Sequence, residues 1–218
     1  MINYVLFDLD GTLLSTLDTI TYHLNGALIK HGLGQIDIDD TRVFIGNGAR
    51  KLVTRAVNKS GVTDLDLIEQ VLVDYNCAYD SDPLPHTFPY DGIPELVDEL
   101  CSRGIRLGVV TNKPHPTALK LVEHFFPGRF SCVSGGREGI TLKPDPIEAL
   151  SVLTSMGGTP SESAFVGDTS VDVITGRNMK AALSVGVAWG FRAKDELVEA
   201  GASFVIDHAS QLLPLVDG

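Results

Sequence analysis

The sequence predicts an α/β fold, with a doubly wound, Rossmann-like parallel sheet as its core and a small all-helical cap inserted after the first strand. Short apolar runs alternate with helical patterns through most of the chain, and several runs lead into acidic, hydroxyl or glycine residues. One helical stretch interrupts this alternation. Apolar strands that alternate with helices are typical of a parallel sheet covered on both faces. Such a sheet binds its ligands at the carboxyl ends of its strands.

Six apolar segments are the predicted strands. They are residues 2–7, 105–110, 130–133, 164–166, 183–187 and 203–206. Helical patterns lie between them, at residues 92–103, 144–156 and 170–180. The first of these helices has Pro94 near its start and Gly104 at its end, which are preferred positions for both residue types. Polar residues that follow the strands are expected to meet at one edge of the sheet.

Residues 15–86 are the predicted insertion. Apolar residues recur at helical spacing in three segments, residues 17–31, 49–59 and 65–79. A proline-rich stretch at residues 81–89 has the composition of a return linker. We therefore expect a discontinuous α/β catalytic core of residues 1–14 and 87–218, and a helical cap of residues 15–86.

The composition is that of an acidic globular protein. The 218 residues carry a formal net charge of −11, which argues against a nucleic-acid partner because phosphate backbones are bound by clustered cations. No stretch approaches the roughly 20 apolar residues of a membrane span, and the N-terminus lacks the pattern of a signal peptide. Three scattered cysteines, Cys77, Cys101 and Cys132, indicate a reducing compartment. A cytoplasmic protein that binds neither nucleic acid nor membrane is expected.

Asp8 and Asp10 follow the first predicted strand and alternate along the chain. If the extended geometry persists, both carboxylates project to the same side, and Gly11 permits a sharp bend beyond them. Two carboxylates this close repel each other, so a cation or a proton must stabilise the pair. Their hard oxygen atoms suit Mg²⁺. The alternative interpretation is an ordinary strand-end turn, in which Asp-Gly is common.

Three further segments contain polar residues of the types that phosphoryl chemistry uses. Asp168 ends a predicted strand and Asp172 lies one helical turn later, although a helix N-cap with acidic first-turn residues is the better explanation of this segment taken alone. Thr111 and Asn112 end another strand, where a hydroxyl and backbone N–H groups can hold phosphate oxygens or can cap a helix. Lys143 precedes a helix and offers a cation for a phosphoryl group, or is simply solvated. Chance placement of all these segments at ligand-binding positions is improbable.

The order of these segments resembles the haloacid dehalogenase-like hydrolase superfamily over essentially the whole chain. The first motif corresponds to Asp8-Leu9-Asp10-Gly11-Thr12, the second to Thr111, the third to Lys143 and the fourth to Asp168 with Asp172. The resemblance implies a Mg²⁺-dependent phosphatase with a small cap after the first motif. The chain has Ser15-Thr16 where such proteins often have Asp-Ser, so no substrate role is assigned to position 15.

The same resemblance implies roles for the site residues. Asp8 would attack phosphorus and become an aspartyl phosphate, while Asp10 would protonate the leaving alcohol and later activate water. Mg²⁺ would bind Asp8, the backbone carbonyl of Asp10 and Asp168, with Asp172 as a ligand or as an orienting neighbour. Thr111 and Lys143 would bind the phosphoryl group, with Asn112 beside them.

The cap segment at residues 44–50, together with Trp189-Gly190-Phe191-Arg192, resembles bacterial phosphoglycolate phosphatases. The implied substrate is a small phosphorylated acid such as 2-phosphoglycolate. Gly46, Asn47 and Gly48 would bring backbone close to the ligand, and Arg50 would hold its carboxylate. The alternative is a glycine break between helices, with Arg50 a solvated charge.

Other functions stay open at this point. A pyrophosphatase, a sugar-phosphate phosphatase and a phosphomutase share much of the pattern, and a non-enzymatic phospho-acceptor module would also use Asp8. A haloalkanoate dehalogenase is a poorer match because it needs neither Asp10 nor Mg²⁺. A monomer and a homodimer are both compatible with the sequence.

Overall fold

The structure is a computed structural model, and it describes residues 1–217. The chain divides into two compact units, Met1–Ser15 with Pro89–Gly218 and Thr16–Phe88. The strands in chain order are β1 (Tyr4–Phe7), β2 (Leu14–Ser15), β3 (Phe88–Pro89), β4 (Arg106–Pro114), β5 (Cys132–Gly136), β6 (Ser163–Gly167), β7 (Leu183–Val187) and β8 (Phe204–Ile206). The α-helices are α1 (Leu17–Lys30), α2 (Ile38–Phe44), α3 (Ala49–Lys59), α4 (Leu65–Ser81), α5 (Ile93–Ser102), α6 (His115–Phe125), α7 (Ile147–Ser155), α8 (Ser170–Asn178), α9 (Lys194–Glu199) and α10 (Leu212–Asp217). Short 3₁₀ turns occupy Pro160–Glu162 and Ala209–Gln211.

The first unit is built on a six-stranded parallel sheet in the order β5-β4-β1-β6-β7-β8. Alternate residues of β1 pack into cores on opposite faces, Val5 and Phe7 on one side and Leu6 on the other. All three side chains are almost completely buried. Burial on both faces explains why the strands are continuous apolar runs, as expected for a sheet with helices on both sides. The predicted α/β fold is confirmed.

The strand order reverses at β1, and this reversal defines the ligand-binding edge. The chain passes from β1 to β4 and β5 on one side, then to β6, β7 and β8 on the other. Phe7 is paired with Val109 of β4 and with Val166 of β6, so the three central strands are in register at the carboxyl end of β1. Open parallel sheets bind ligands at such a reversal, outside the carboxyl ends of the strands.

The observed strand β4 is longer than the sequence indicated. The prediction ended this strand at residue 110, whereas it continues through Pro114, with an irregularity between Val110 and Pro114. Pro114 pairs with Gly136 of β5, and this non-local pairing keeps the polar residues 111–113 in the sheet. Thr111 and Asn112 therefore lie within β4, and the prediction that they directly follow the strand was wrong. Helix α6 begins after Pro114, without a side-chain cap.

The second unit consists of helices α1 to α4. Helix α1 packs against α4 and α2, and α3 packs against α4 and α2. Leu24 and Leu28 of α1 and Val53 and Val57 of α3 are fully buried, as their helical spacing predicts. Helix α2 was not predicted, although Asp37 and Asp40 form its capping box. No helix among residues 1–217 combines the length and apolar character that crossing a membrane requires.

Candidate functional site

The segment after β1 forms a tight loop that carries the first two carboxylates. The Asp8 N–H donates to the Val166 carbonyl at 2.9 Å, which continues the sheet pairing to the nucleophile candidate. Beyond it, the Leu13 N–H returns to the Leu9 carbonyl at 3.0 Å, and Gly11 has φ +84°. Only glycine adopts this conformation without strain. The loop therefore holds Asp8 and Asp10 at the carboxyl end of β1.

Asp8, Asp168 and Asp172 form a buried carboxylate cluster. One oxygen from each residue lies within 4.8 Å of those of the other two. Burial raises the pKa of Asp8 to about 6, with the Asp172 and Asp10 charges adding to the rise and Lys143 opposing it. Burial, followed by the charges of Asp172 and Asp8, also raises the pKa of Asp168 well above its ordinary value. Such a cluster is stabilised in its ionised form by a cation.

Asp168 is fixed by groups from two distant segments. Its Oδ1 accepts from Thr12 Oγ1 at 3.1 Å, and its Oδ2 accepts from the Phe191 N–H at 2.8 Å. A Cβ at Gly11 would lie 2.3 Å from Asp168 Oδ2, and a Cβ at Gly190 would lie 2.3 Å from Asp168 Cβ. Any side chain at these two positions would displace the carboxylate. The Asp-Gly-Thr and Trp-Gly-Phe sequences thus build two sides of one carboxylate site.

Asp172 serves as a helix cap and as a member of the cluster. It is the N3 residue of α8, and its Oδ2 accepts from the Thr169 N–H at 3.0 Å and from Thr169 Oγ1 at 2.7 Å. Its Oδ1 accepts from Lys143 Nζ at 2.7 Å. The capping interpretation and the site interpretation therefore both apply to this residue. Since both oxygens have partners, Asp172 is suited to orienting its neighbours.

Lys143 links Asp8 to Asp172. Its Nζ lies 2.8 Å from Asp8 Oδ1 and 2.7 Å from Asp172 Oδ1, and the lysine is buried. Burial by itself would lower the pKa of Lys143, but the two carboxylates outweigh it and raise the pKa to about 12. Apart from this contact with Lys143, the buried Asp8 Oδ1 accepts no hydrogen bond from residues 1–217. A solvated lysine is thus excluded at position 143.

The second motif contributes two residues in different ways. Thr111 is buried in β4, and its Oγ1 accepts from the Lys113 N–H at 3.3 Å. The Asn112 amide holds the Lys143 backbone from both sides, since Oδ1 accepts from the Lys143 N–H at 2.8 Å and Nδ2 donates to the Lys143 carbonyl at 3.2 Å. Asn112 therefore positions the segment that carries Lys143.

Lys113 is a charged residue of this site that the sequence analysis did not single out. Its Nζ lies 3.0 Å and 3.2 Å from the two carboxylate oxygens of Asp10. The lysine side chain is 2% exposed and that of Asp10 is 15% exposed. The available signal was a lysine immediately after Thr111-Asn112, in a sequence with two aspartates in its first motif and only one assigned cation, Lys143.

The four residues assigned to substrate binding in the second unit lie at the start of α3. Gly46 and Gly48 have φ values of +109° and +85°, which is the backbone freedom expected of them. Asn47 Oδ1 accepts from Arg55 Nη2 at 2.9 Å. Both terminal nitrogens of Arg50 donate to Glu69, one of them at 3.0 Å to Oε2, so Arg50 is not simply solvated.

The donor set fits a hard divalent cation. Carboxylate oxygens are the ligands such ions prefer, and the buried Asp8 Oδ1 has no hydrogen-bond partner among the described residues besides its contact with Lys143. When every group is ionised, the four aspartates and two lysines of the site leave two negative charges. One divalent cation would neutralise them.

Comparison with known proteins identifies relatives along nearly the full chain. A family model described as haloacid dehalogenase-like hydrolase matches residues 5–185. A phosphoglycolate phosphatase of Agrobacterium fabrum is 32% identical over 212 residues, which are 96% of this chain and 90% of that protein. An N-acetylmuramic acid 6-phosphate phosphatase of Pseudomonas aeruginosa is 31% identical over 215 residues, covering 98% of this chain and 94% of that protein. A solved structure from Lactobacillus delbrueckii subsp. bulgaricus, named as a candidate phosphoglycolate phosphatase, superposes with a TM-score of 0.92 at 29% identity and covers 98% of both chains.

Proposed function

Because this chain belongs to the haloacid dehalogenase-like hydrolase family and is a phosphatase, we propose that it hydrolyses phosphate monoesters through a phosphorylated Asp8, with Mg²⁺ as its cofactor. The observation that carries the proposal is the environment of Asp8. This buried carboxylate has a lysine nitrogen 2.8 Å from one oxygen, and it can share a metal ion with Asp168 and Asp172. A nucleophile in this position can attack an anionic phosphoryl group because neighbouring cations offset the repulsion.

The proposed reaction has two steps. In the first, an Asp8 oxygen attacks phosphorus, the bond from phosphorus to the ester oxygen breaks, and Asp10 gives its proton to the leaving alcohol. In the second, the water oxygen attacks phosphorus, the bond from phosphorus to the Asp8 oxygen breaks, and Asp10 takes a proton from the water, which releases inorganic phosphate and restores the Asp8 carboxylate. Thr111 and Lys143 hold phosphoryl oxygens through both steps.

The metal proposal follows from the carboxylate cluster. Asp8, Asp168 and the Asp10 backbone carbonyl would hold Mg²⁺, and Asp172 would orient Asp8 through Lys143. Bound Mg²⁺ would supply positive charge for the phosphoryl oxygens in the transition state. The orientation of the Asp168 carboxylate is supported by hydrogen bonds from Thr12 and Phe191. It is also supported by the close approach of Gly11 and Gly190.

We propose that the first unit is the catalytic core and that the second unit is a substrate-selecting cap. The family places such an insertion after the first motif, and the helical unit follows Asp8 and Asp10 directly. A core that contacts mainly the phosphoryl group cannot discriminate strongly between esters, so the choice of alcohol falls to another part of the chain.

The proposed substrate is a small phosphorylated acid, with 2-phosphoglycolate as the leading candidate. Two relatives are named for phosphoglycolate and for N-acetylmuramic acid 6-phosphate, and both named substrates are phosphorylated acids. Arg50, or backbone N–H groups of residues 46–49, would take the carboxylate. The second relative makes a sugar-acid phosphate the second candidate substrate. Catalysis in the cytoplasm, by a monomer or a homodimer, stays a prediction.

A substrate screen tests this function. Wild-type protein with Mg²⁺ is assayed on 2-phosphoglycolate, N-acetylmuramic acid 6-phosphate, glucose 6-phosphate, pyrophosphate and an aryl phosphate, ranked by kcat/KM. We expect phosphoglycolate to rank first. A preference for N-acetylmuramic acid 6-phosphate would change the proposed substrate but would leave the proposed phosphatase mechanism in place. A single phosphoryl transfer to Asp8 without turnover on any ester would instead identify a phospho-acceptor module.

A further inference from the structure

We propose that Lys113 is a positioning residue for Asp10, in that its ammonium group fixes the orientation of the carboxylate that acts as acid and base. The inference rests on the proposed function only for the role of Asp10. The contact itself is a feature of the first unit, and the residues assigned to the four motifs in the sequence analysis do not include this lysine.

The geometry of the pair carries the proposal. Lys113 Nζ lies 3.0 Å from Asp10 Oδ1 and 3.2 Å from Oδ2, so one cation bridges both oxygens. A contact to one oxygen would leave the carboxylate free to rotate, whereas contact with both restricts its plane. With its side chain only 2% exposed, the lysine is held by packing rather than by solvent.

Lys113 also stands on a rigid element, whereas Asp10 lies in a loop. The lysine belongs to β4, its N–H donates to Thr111 Oγ1 at 3.3 Å, and the next residue, Pro114, is paired with β5. Sites supported from strands hold their geometry better than sites on loops alone. The sheet thus fixes the loop carboxylate through a single side chain.

The two buried lysines divide the carboxylates between them. Lys143 contacts Asp8 and Asp172, and Lys113 contacts Asp10. The carboxylates of two aspartates separated by one residue repel each other. A separate lysine contact for each carboxylate holds the two in different orientations. The nucleophile and the acid/base group then occupy different places around the ester oxygen.

A double-mutant cycle tests the proposal by activity. Lys113→Met should lower kcat on an alkyl phosphate by about 10- to 100-fold, the order of loss for a catalytic group displaced by about 1 Å, with little change in KM. Lys113→Arg should recover part of this loss because it keeps the cation. In an Asp10→Asn background, Lys113→Met should cost almost nothing more, because the group it positions is already inactive. Lys180→Met, the same change at an exposed lysine, is the control.

Losses that add in the double variant would overturn the proposal. A loss expressed in KM, on carboxylate-bearing esters alone, would make Lys113 a substrate-binding residue instead and would also overturn it. If Lys113→Met fails to fold by circular dichroism, Lys113→Gln takes its place in the cycle.

A crystallographic test does not depend on turnover. Structures of the wild-type and Lys113→Met proteins should show the Asp10 carboxylate rotated or disordered only in the variant. An unchanged carboxylate would reject the positioning role, whatever the activity. A wild-type protein inactive on every phosphate ester would remove the proposed function, while this comparison would still decide what Lys113 does.

Discussion

The two units differ in the burial of their ion pairs. In the first unit, Asp8, Lys143 and Asp172 are almost fully buried and interlocked by contacts of 2.7–2.8 Å. In the second, Arg50 and Glu69 pair on the surface, with side chains 64% and 49% exposed. Burying an ion costs several kcal/mol unless it is well compensated, whereas an exposed pair contributes about 0–1 kcal/mol. The buried set is therefore costly to alter, and the surface pair can exchange partners.

The same contrast holds for glycines. Gly11 in the first unit and Gly32 in the second both have positive φ, at +84° and +69°. A Cβ at Gly11 would meet the Asp168 carboxylate at 2.3 Å, whereas a Cβ at Gly32 would meet nothing within 4 Å. Gly11 is therefore required both by its positive φ and by the closeness of its neighbours, whereas Gly32 is required by its positive φ alone.

The largest effect expected from the buried set is at Asp8. Asp8→Asn should lower kcat by several orders of magnitude while the protein stays folded, because an amide cannot replace the carboxylate as the nucleophile. Asp195→Asn, at an exposed position of α9, should leave kcat near wild type. The measurement is steady-state turnover alongside circular dichroism. Near-normal kcat in folded Asp8→Asn protein would rule out the covalent mechanism.

Metal removal should have the next largest effect. EDTA should abolish turnover and Mg²⁺ should restore it, while Ca²⁺ should bind but support turnover poorly, because its looser shell misplaces the nucleophile. Binding should also raise the melting temperature, since a ligand at 100 times its Kd adds about 2.7 kcal/mol of stability. Asp168→Asn should remove the Mg²⁺-dependent rise. Full activity in excess chelator would contradict the assignment.

The glycine pair separates backbone strain from site geometry. Gly32→Ala should lose about 1–2 kcal/mol of folding free energy, because it places a Cβ in the left-handed region. Gly11→Ala should lose more, because its Cβ also meets Asp168 and Phe191 closer than 3.0 Å. Only Gly11→Ala should also lower kcat, by roughly 100-fold, since its Cβ displaces Asp168. Chemical denaturation and kcat are measured on both variants. Equal kcat in the two would show that Asp168 tolerates displacement.

Candidate site residues were easiest to propose from the sequence where they directly follow an apolar strand. The resemblance to the haloacid dehalogenase-like family and the α/β fold are confirmed. Asp8 and Asp168 were recognisable because apolar strands end directly before them. The pairing of Lys113 with Asp10 was not, since it depends on β4 continuing to Pro114 through a pairing with β5. The hydrogen bond from the Phe191 N–H to Asp168 could not be predicted either, because every residue except proline carries a backbone N–H and the residue type therefore does not mark the donor.

Helix α2 shows the same limit in the second unit. Its seven residues, Ile38–Phe44, are too few for helical periodicity to be visible. Only the Asp37 and Asp40 capping box identifies it, and the box is satisfied by local chain geometry. Short elements and long-range backbone contacts thus escape pattern reasoning for different reasons.

The smallest expected effect concerns Arg50, where the surface pair is predicted to exchange Glu69 for the substrate carboxylate. Because both Nη atoms already donate to Glu69, the guanidinium has the forked geometry that a carboxylate ligand needs. Losing one charge-assisted hydrogen bond costs about 1.5–3 kcal/mol, or about 10- to 100-fold in kcat/KM. Arg50→Ala should lose this much on 2-phosphoglycolate and far less on an aryl phosphate without a carboxylate.

Glu69→Gln is the matched control for Arg50→Ala, since it weakens the same pair but keeps the cation. If Arg50 binds substrate, releasing it from Glu69 should leave kcat/KM on 2-phosphoglycolate unchanged or slightly higher. If the pair serves only to join α3 to α4, both variants should lose stability alike and neither should discriminate between the two esters. The ratio of kcat/KM on the two substrates, measured for wild type and both variants, separates these cases because a purely structural defect affects both esters equally. A common ratio in all three proteins would remove Arg50 from substrate recognition and leave the carboxylate to backbone N–H groups of residues 46–49.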